Sequence, residues 1–205
     1  MKISCSDVGK RFNRDWIFRH FNYEFLDNSY AITGPNGSGK STLLQVIAGA
    51  LIKSEGKVEY KLTGSHYLEE ESVYQYISIA APYIEVIEEM TLIEFLKFHE
   101  TFKSFLPGIT IENIISEIDL VKSASKQIRY YSSGMKQRVK LAQAVFSNTP
   151  YLFLDEPCTN LDETGFRLYH QLVNHYCNNR LLIISSNDHN EYSFCNQIIN
   201  VLEYK

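Results

Sequence analysis

Gly34-Pro35-Asn36-Gly37-Ser38-Gly39-Lys40-Ser41 sets a lysine and a hydroxyl behind three glycines at the spacing G-x-x-x-x-G-K-[ST]. Those residue types at that spacing hold polyphosphate. Gly34, Gly37 and Gly39 let the backbone turn so that successive N–H groups face one concavity, and a helix behind them adds the positive end of its dipole. Lys40 would reach the β- and γ-phosphates as a point charge, and the Ser41 hydroxyl would take one position on Mg²⁺. The binding segment then runs from Gly34 through Pro35, Asn36 and Ser38 to Thr42. A second group is Tyr151-Leu152-Phe153-Leu154-Asp155-Glu156, an apolar run that ends in two acids. Asp155 suits a Mg²⁺ anchor, directly or through water, and Glu156 suits a general base or positioner for an attacking water. Two acids can also simply end a strand at the surface; a phosphate loop earlier in the chain favours the chemical reading.

These groups need a scaffold that brings them together. Tyr30-Ala31-Ile32-Thr33 reads as a short buried strand entering the loop, and residues 42–49 read as a helix ending at Gly49. Strand character is also expected over 3–12, 16–25, 76–80, 151–154 and 181–185, with hairpin material at 55–62 before Thr63-Gly64. From Thr91 the apolar residues Leu92, Phe95, Leu96, His99 and Phe102 recur at helical spacing, and further helices are predicted over 111–121, 134–146 and about 166–176. Strands alternating with helices imply a parallel sheet. On such a sheet the carboxyl ends of neighbouring strands share one crevice, so both acids would face the phosphate loop.

The chain has 205 residues, 44% of them hydrophobic, enough to bury a sizeable core as one large domain. A formal net charge of -4 gives no general footprint for nucleic acid, and none is expected as a partner. The longest apolar runs fall far short of the ~20 residues of a membrane-spanning helix, so a membrane role would come through a partner. The start of the sequence lacks the apolar stretch of a secretory signal, which points to the cytoplasm. Cys5, Cys158, Cys177 and Cys195 form no C-x-x-C pair, and the six histidines show no metal spacing.

Between the two groups, Tyr131-Ser132-Ser133-Gly134-Met135-Lys136-Gln137-Arg138 opens a helix. It resembles the L-S-G-G-Q signature of ATP-binding cassette (ABC) proteins, and Ser132 also serves as an ordinary helix N-cap. Phosphate loop, signature, Asp155-Glu156 and then Thr159-Asn160-Leu161-Asp162 in the place of the D-loop follow in that family's order. The resemblance spans essentially the whole chain. It implies an α/β P-loop NTPase of the ABC-ATPase type, with an N-terminal antiparallel β subdomain and an inserted helical subdomain. The whole chain, 1–205, would be one ABC ATPase domain, its nucleotide-binding core at about 1–82 and 135–205 and the helical subdomain at about 83–134.

The resemblance also implies a mechanism. Two cassettes, as a homodimer or heterodimer, pair head to tail, each ATP lying between one subunit's phosphate loop and the other's signature. Ser132, Ser133 and Gly134 would contact the γ-phosphate held by a partner copy, and Asp162 would couple the two sites. Phe12, in Lys10-Arg11-Phe12, matches the place of the adenine-stacking aromatic, with Trp16 as its substitute. Two positions depart from the family's pattern. By spacing to Thr91, Pro82 stands where a glutamine contacts Mg²⁺ and the attacking water, and Asn187 stands in place of the switch histidine. Asparagine still donates a hydrogen bond to a γ-phosphate oxygen but carries no charge.

The leading expectation is therefore an ATP-binding and ATP-hydrolysing subunit of an ABC transporter, dimeric and peripheral on the inner face of a membrane. An integral membrane permease would be its partner. Residues 83–89 resemble part of the surface that receives such a partner, although Glu85, Glu88 and Glu89 also read as a solvated face. The alternative is an ATP-gated regulatory or assembly module with slow hydrolysis, favoured by Pro82 and Asn187. A GTPase or small-molecule kinase fits less well, since Ser186-Asn187-Asp188 lacks N-K-x-D.

Overall fold

The computed structural model describes residues 1–64 and 67–205. Its strands are β1 (Lys2–Phe12), β2 (Asp15–Phe25), β3 (Ser29–Thr33), β4 (Glu55–Lys61), β5 (Ile77–Ala80), β6 (Tyr151–Asp155), β7 (Leu181–Ser185) and β8 (Gln197–Asn200). The α-helices are α1 (Lys40–Ile47), α2 (Leu92–Glu100), α3 (Ile111–Glu117), α4 (Ser133–Val145), α5 (Glu163–Tyr176) and α6 (His189–Tyr192). They divide into two compact bodies, one of Met1–Ile79, Pro150–Glu156 and Asn179–Lys205, the other of Ala80–Thr149 and Pro157–Asn178.

In the first body, β1 and β2 form an antiparallel hairpin that turns at Asn13, whose φ of 53° is the left-handed conformation asparagine tolerates. β4 pairs antiparallel with the other edge of β1, giving the order β2-β1-β4. The hairpin expected at 55–62 is thus met in part: Lys61 and Tyr67 make a short antiparallel bridge, but the strand's main partner is β1. A five-stranded sheet has the order β5-β6-β7-β3-β8, with β6, β7, β3 and β8 parallel to one another. Every residue of β6 and β7 is buried, as strands covered on both faces require.

α1 packs against β1 and against β3, β6 and β7, so it fills the space between the two sheets. Its residues Leu43, Leu44 and Ile47 are fully buried beside Phe18, Phe153 and Ile183. Truncating a leucine in such a cluster costs about 2–5 kcal/mol. The helix that carries Lys40 and Ser41 is therefore anchored by its apolar face, which leaves its N-terminus as a fixed platform.

The second body is helical. α2 begins with a capping box, Thr91 Oγ1 accepting from the Glu94 N–H at 3.2 Å while Glu94 Oε2 accepts from the Thr91 N–H at 2.8 Å. α3 stops at Glu117 rather than at the expected 121, because Asp119 turns to φ 54° and the chain continues as a 3₁₀ turn over Val121–Ser123. α2 packs on α3 and α4, and α4 packs on α5.

Candidate functional site

Three neighbouring parallel strands, β6, β7 and β3, deliver their carboxyl ends to one crevice of the first body. β3 runs into the glycine loop, where Gly34, Gly37 and Gly39 have φ of 143°, 77° and 99°. Gly39 has no substitute. Its positive φ strains any side chain, and a Cβ there would lie 2.5 Å from Ile17 Cγ2. The Ser38 N–H donates to Pro35 O at 3.0 Å and closes the turn. Gly39 is the N-cap of α1 and brings no side-chain acceptor, so the first-turn N–H groups stay turned toward the loop's concavity. Lys40 is 5% exposed and its Nζ lies 3.4 Å from Pro35 O.

β6 brings Asp155 and Glu156 against this loop. Ser41 Oγ donates to Asp155 Oδ1 at 3.1 Å, and Lys40 Nζ lies 3.9 Å from Glu156 Oε1. Asp155 is 1% exposed; burial raises its carboxyl pKa, opposed by the Ser185 and Ser41 hydroxyls and by Lys40. Burial also raises Glu156, with Lys40 opposing and Asp155 and Asp188 adding to the rise. Glu156 adopts φ 44°, and its N–H donates to Ser185 O at 2.8 Å. Such a conformation costs about 1–3 kcal/mol, tolerated where it aims a functional group. The hydroxyl–carboxylate pair is a hard oxygen donor set of the kind Mg²⁺ takes from protein when phosphates supply further ligands.

β7 continues through Ser185 and Ser186 to Asn187, whose Nδ2 donates to Asn36 Oδ1 of the glycine loop. His189, two residues on, opens α6 and lies edge-on to Tyr192 at 5.4 Å. The β1–β2 hairpin that places Ile17 beside Gly39 also carries the two candidate base-stacking rings. Phe12 is 48% exposed with Lys10 Nζ 4.9 Å from its centroid. Trp16 already has the Arg19 and Arg11 guanidinium carbons 4.1 and 5.5 Å from its ring. Gly34 to Thr42, Asp155, Glu156 and Asn187 thus stand together, with Phe12 on the adjoining hairpin.

The second body holds the remaining candidates. Ser132 caps α4 by accepting from the Met135 N–H at 3.2 Å, and Ser132 and Ser133 are exposed. A Cβ on Gly134 would meet Asn160 O at 2.9 Å, so this glycine lets the helix approach the Thr159–Asp162 turn. Asp162 caps α5 through the Gly165 N–H at 2.7 Å. A cavity of about 660 Å³ opens here, lined by Ser132, Ser133, Gly134, Asn160 and Asp162 among others. Pro82 is exposed, and its carbonyl accepts from Lys140 Nζ at 3.0 Å.

Three contacts went unforeseen. The Asn36–Asn187 bond joins residues far apart in sequence, and no local signal announces it. Ser185 beside Asp155 follows from the β6–β7 register, Asp155 opposite Ser185, once the strands are aligned. Arg138 lies 3.6 Å from both Asp119 and Asp162, a bridge that only the packing of α4 reveals.

A family model described as ABC transporter matches residues 26–159. The uncharacterised ABC transporter ATP-binding protein YybJ of Bacillus subtilis is 26% identical over 190 residues, 92% of this chain and 86% of that protein. An ATP-binding protein of a putative ABC transporter from Pyrococcus furiosus superposes with a TM-score of 0.83 at 22% identity, covering all of both chains. A dimeric ATP-binding cassette solved in a post-hydrolysis state with ADP and phosphate superposes with a TM-score of 0.78 at 21% identity, over 97% of this chain and 93% of the other. Together with the phosphate loop and the paired acids, these matches place the chain in the ABC transporter family, as a nucleotide-binding domain.

Proposed function

We propose that this chain is the ATP-binding and ATP-hydrolysing subunit of a transporter, working as a dimer of cassettes on a separate membrane-spanning permease at the cytoplasmic face. The observation that carries this reading is the junction of Lys40, Ser41, Asp155 and Glu156 at one end of the parallel sheet. No α-helix among the described residues is long and apolar enough to cross a membrane, in keeping with a permease supplied in trans.

In this reading the backbone N–H groups of 37–41 and the Lys40 ammonium hold the phosphates. Ser41 and Asp155 would hold Mg²⁺, which when bound neutralises charge on the phosphates. Glu156, its pKa raised by burial, orients the attacking water and accepts its proton. Asn187 donates to the γ-phosphate, and Phe12 stacks on adenine. Ser132, Ser133 and Gly134 of one copy face the γ-phosphate bound to the other, with Asp162 coupling the two sites. The relative solved as a dimer with ADP and phosphate supports this arrangement by fold alone.

Two observations favour a second reading, an ATP-gated regulatory or assembly module with slow hydrolysis. Pro82 has no side-chain ligand for a metal or water, and Asn187 provides no charge. Losing a charge-assisted contact costs about 1–3 kcal/mol, or roughly ten- to a hundredfold in turnover. Turnover of Mg-ATP by the purified chain, compared with Glu156→Gln, decides between them. A rate clearly above the variant's supports hydrolysis; equal rates support the module. Recovery of an integral membrane protein with the tagged chain from solubilised membranes supports transport, and recovery of soluble partners alone opposes it.

A further inference from the structure

The β1–β2 hairpin is fastened to α1, the helix that carries Lys40 and Ser41, at its start and again where the chain leaves it. At the start, Lys10 pairs with Phe18 and Arg11 with Trp16, so Ile17 is the extra residue of a β-bulge, and it packs against Gly39 at the N-cap of α1. Beyond the far end, the chain is sewn onto β1: the Ser54 N–H donates to Gly9 O at 2.8 Å, and Ser54 Oγ accepts from the Arg11 N–H at 3.1 Å. Lys10 adds a side-chain bond to this seam, its Nζ donating to Ile52 O at 2.8 Å.

The same ammonium has a second contact. Lys10 and Phe12 lie two apart on β1 and project from the same side of the strand, which puts Nζ over the Phe12 ring, 4.9 Å from its centroid. The bond to Ile52 is to a neutral carbonyl, and Lys10 makes no ion pair with a carboxylate among the described residues, so its charge is not cancelled. Arg19 over Trp16 differs, because Glu55 pairs with it through two nitrogens. A cation over one face of a phenyl ring draws π density toward itself, and the opposite face becomes a better platform for an electron-rich ring. Phe12 stays half exposed, which leaves room for such a ring.

We propose that Lys10 is a positioning residue for the nucleobase: tied to Ile52 behind α1, its ammonium fixes the Phe12 ring and occupies one face, so that the base stacks on the other. This rests on the reading of Phe12 as the adenine platform. Base and triphosphate then share one frame, because the ring and the phosphate loop are fastened to the same helix. A purine gains from Lys10 only through Phe12, and a bare triphosphate gains nothing.

Competition against a fluorescent ATP analogue tests this on the purified chain with Mg²⁺ present, the competitors being ATP and inorganic tripolyphosphate. Lys10→Met weakens ATP about two- to fivefold and leaves tripolyphosphate unchanged. Lys10→Arg keeps a cation over the ring and restores ATP binding. In a Phe12→Ala background, Lys10→Met has no further effect on ATP, as a residue acting only through Phe12 requires. Unchanged ATP affinity in Lys10→Met, an equal loss for tripolyphosphate, or the same loss in the Phe12→Ala background overturns this inference alone. Full ATP affinity in Phe12→Ala takes the base off Phe12 and overturns that reading and this inference together.

Discussion

Asn187 Nδ2 donates to Asn36 Oδ1, so the end of β7 is tied to the tip of the phosphate loop by a neutral amide pair. The amide that would meet a γ-phosphate oxygen is already engaged, and engaging phosphate exchanges this neutral contact for one in which only the acceptor carries charge. A histidine at this position offers a charge as well. Asn187→His is expected to raise kcat by about ten- to a hundredfold with little change in nucleotide affinity. The gain should fade as pH rises through the imidazole range near ~6.5, where the charge is lost. Steady-state phosphate release across pH 5.5–8.5 checks both expectations; a rate equal to wild type at every pH removes the charge argument.

Asp155 bears a buried carboxylate paired to the Ser41 hydroxyl, and burial raises its pKa. A raised folded-state pKa gives stability that is complete below the unfolded value and lost as pH rises through the folded one. At neutral pH, without nucleotide, the ionised group therefore opposes folding. Asp155→Asn should melt at a higher temperature than wild type at pH 7.5, the difference closing as pH falls through the carboxylate range. The same variant should lose the extra thermal protection that Mg²⁺ adds to ATP. Differential scanning calorimetry with ATP, with and without Mg²⁺, measures each effect; unchanged Mg²⁺ protection would remove Asp155 from the metal site.

The parts of this site legible in sequence are those whose physics is local. Gly39 needs its positive φ whatever surrounds it, and an apolar run ending in Asp155-Glu156 marks the carboxyl end of a buried strand by itself. Contacts between distant segments were not legible, because nothing in the Ser186-Asn187-Asp188 stretch records that β7 ends opposite Asn36. The strand at 55–61 was readable from its β-formers, but its partner was not, since β1 lies across the intervening β2, β3 and α1. The early end of α3 follows from the left-handed turn at Asp119, for which an aspartate is permissive but not diagnostic. β8 and α6, at four residues each, are too short for periodicity to register.

Phe12 and Trp16 differ in what already covers them. The Arg19 guanidinium carbon sits 4.1 Å from the Trp16 centroid while Arg19 also bonds Glu55 through two nitrogens, at 2.8 and 3.1 Å. That face is committed, whereas Phe12 is half exposed. Phe12→Ala should weaken ATP binding by about 1–3 kcal/mol, close to ten- to a hundredfold, and Trp16→Ala by much less. Titration with a fluorescent ATP analogue gives the ranking, and the reverse order would move the base to Trp16.

His99 makes the helical body sensitive to acid. Its Nε2 lies 2.8 Å from Ser147 Oγ, and that hydroxyl donates to Gln143 O at 2.5 Å, so Nε2 carries a proton and donates to the hydroxyl. Burial first, and Lys103 second, lower its pKa from 6.5 to about 4. The unfolded chain takes up a proton as pH falls below about 6.5, whereas the folded chain resists until about pH 4. Stability contributed by this group is therefore present above pH 6.5 and lost toward pH 4, by at most about 3 kcal/mol. His99→Gln keeps a donor but has no proton to bind, so its melting temperature should fall less steeply than wild type between pH 6.5 and 4.5. Parallel thermal melts across that interval would show two converging lines. Parallel lines would mean that His99 takes up its proton over the same pH range in the folded and the unfolded chain.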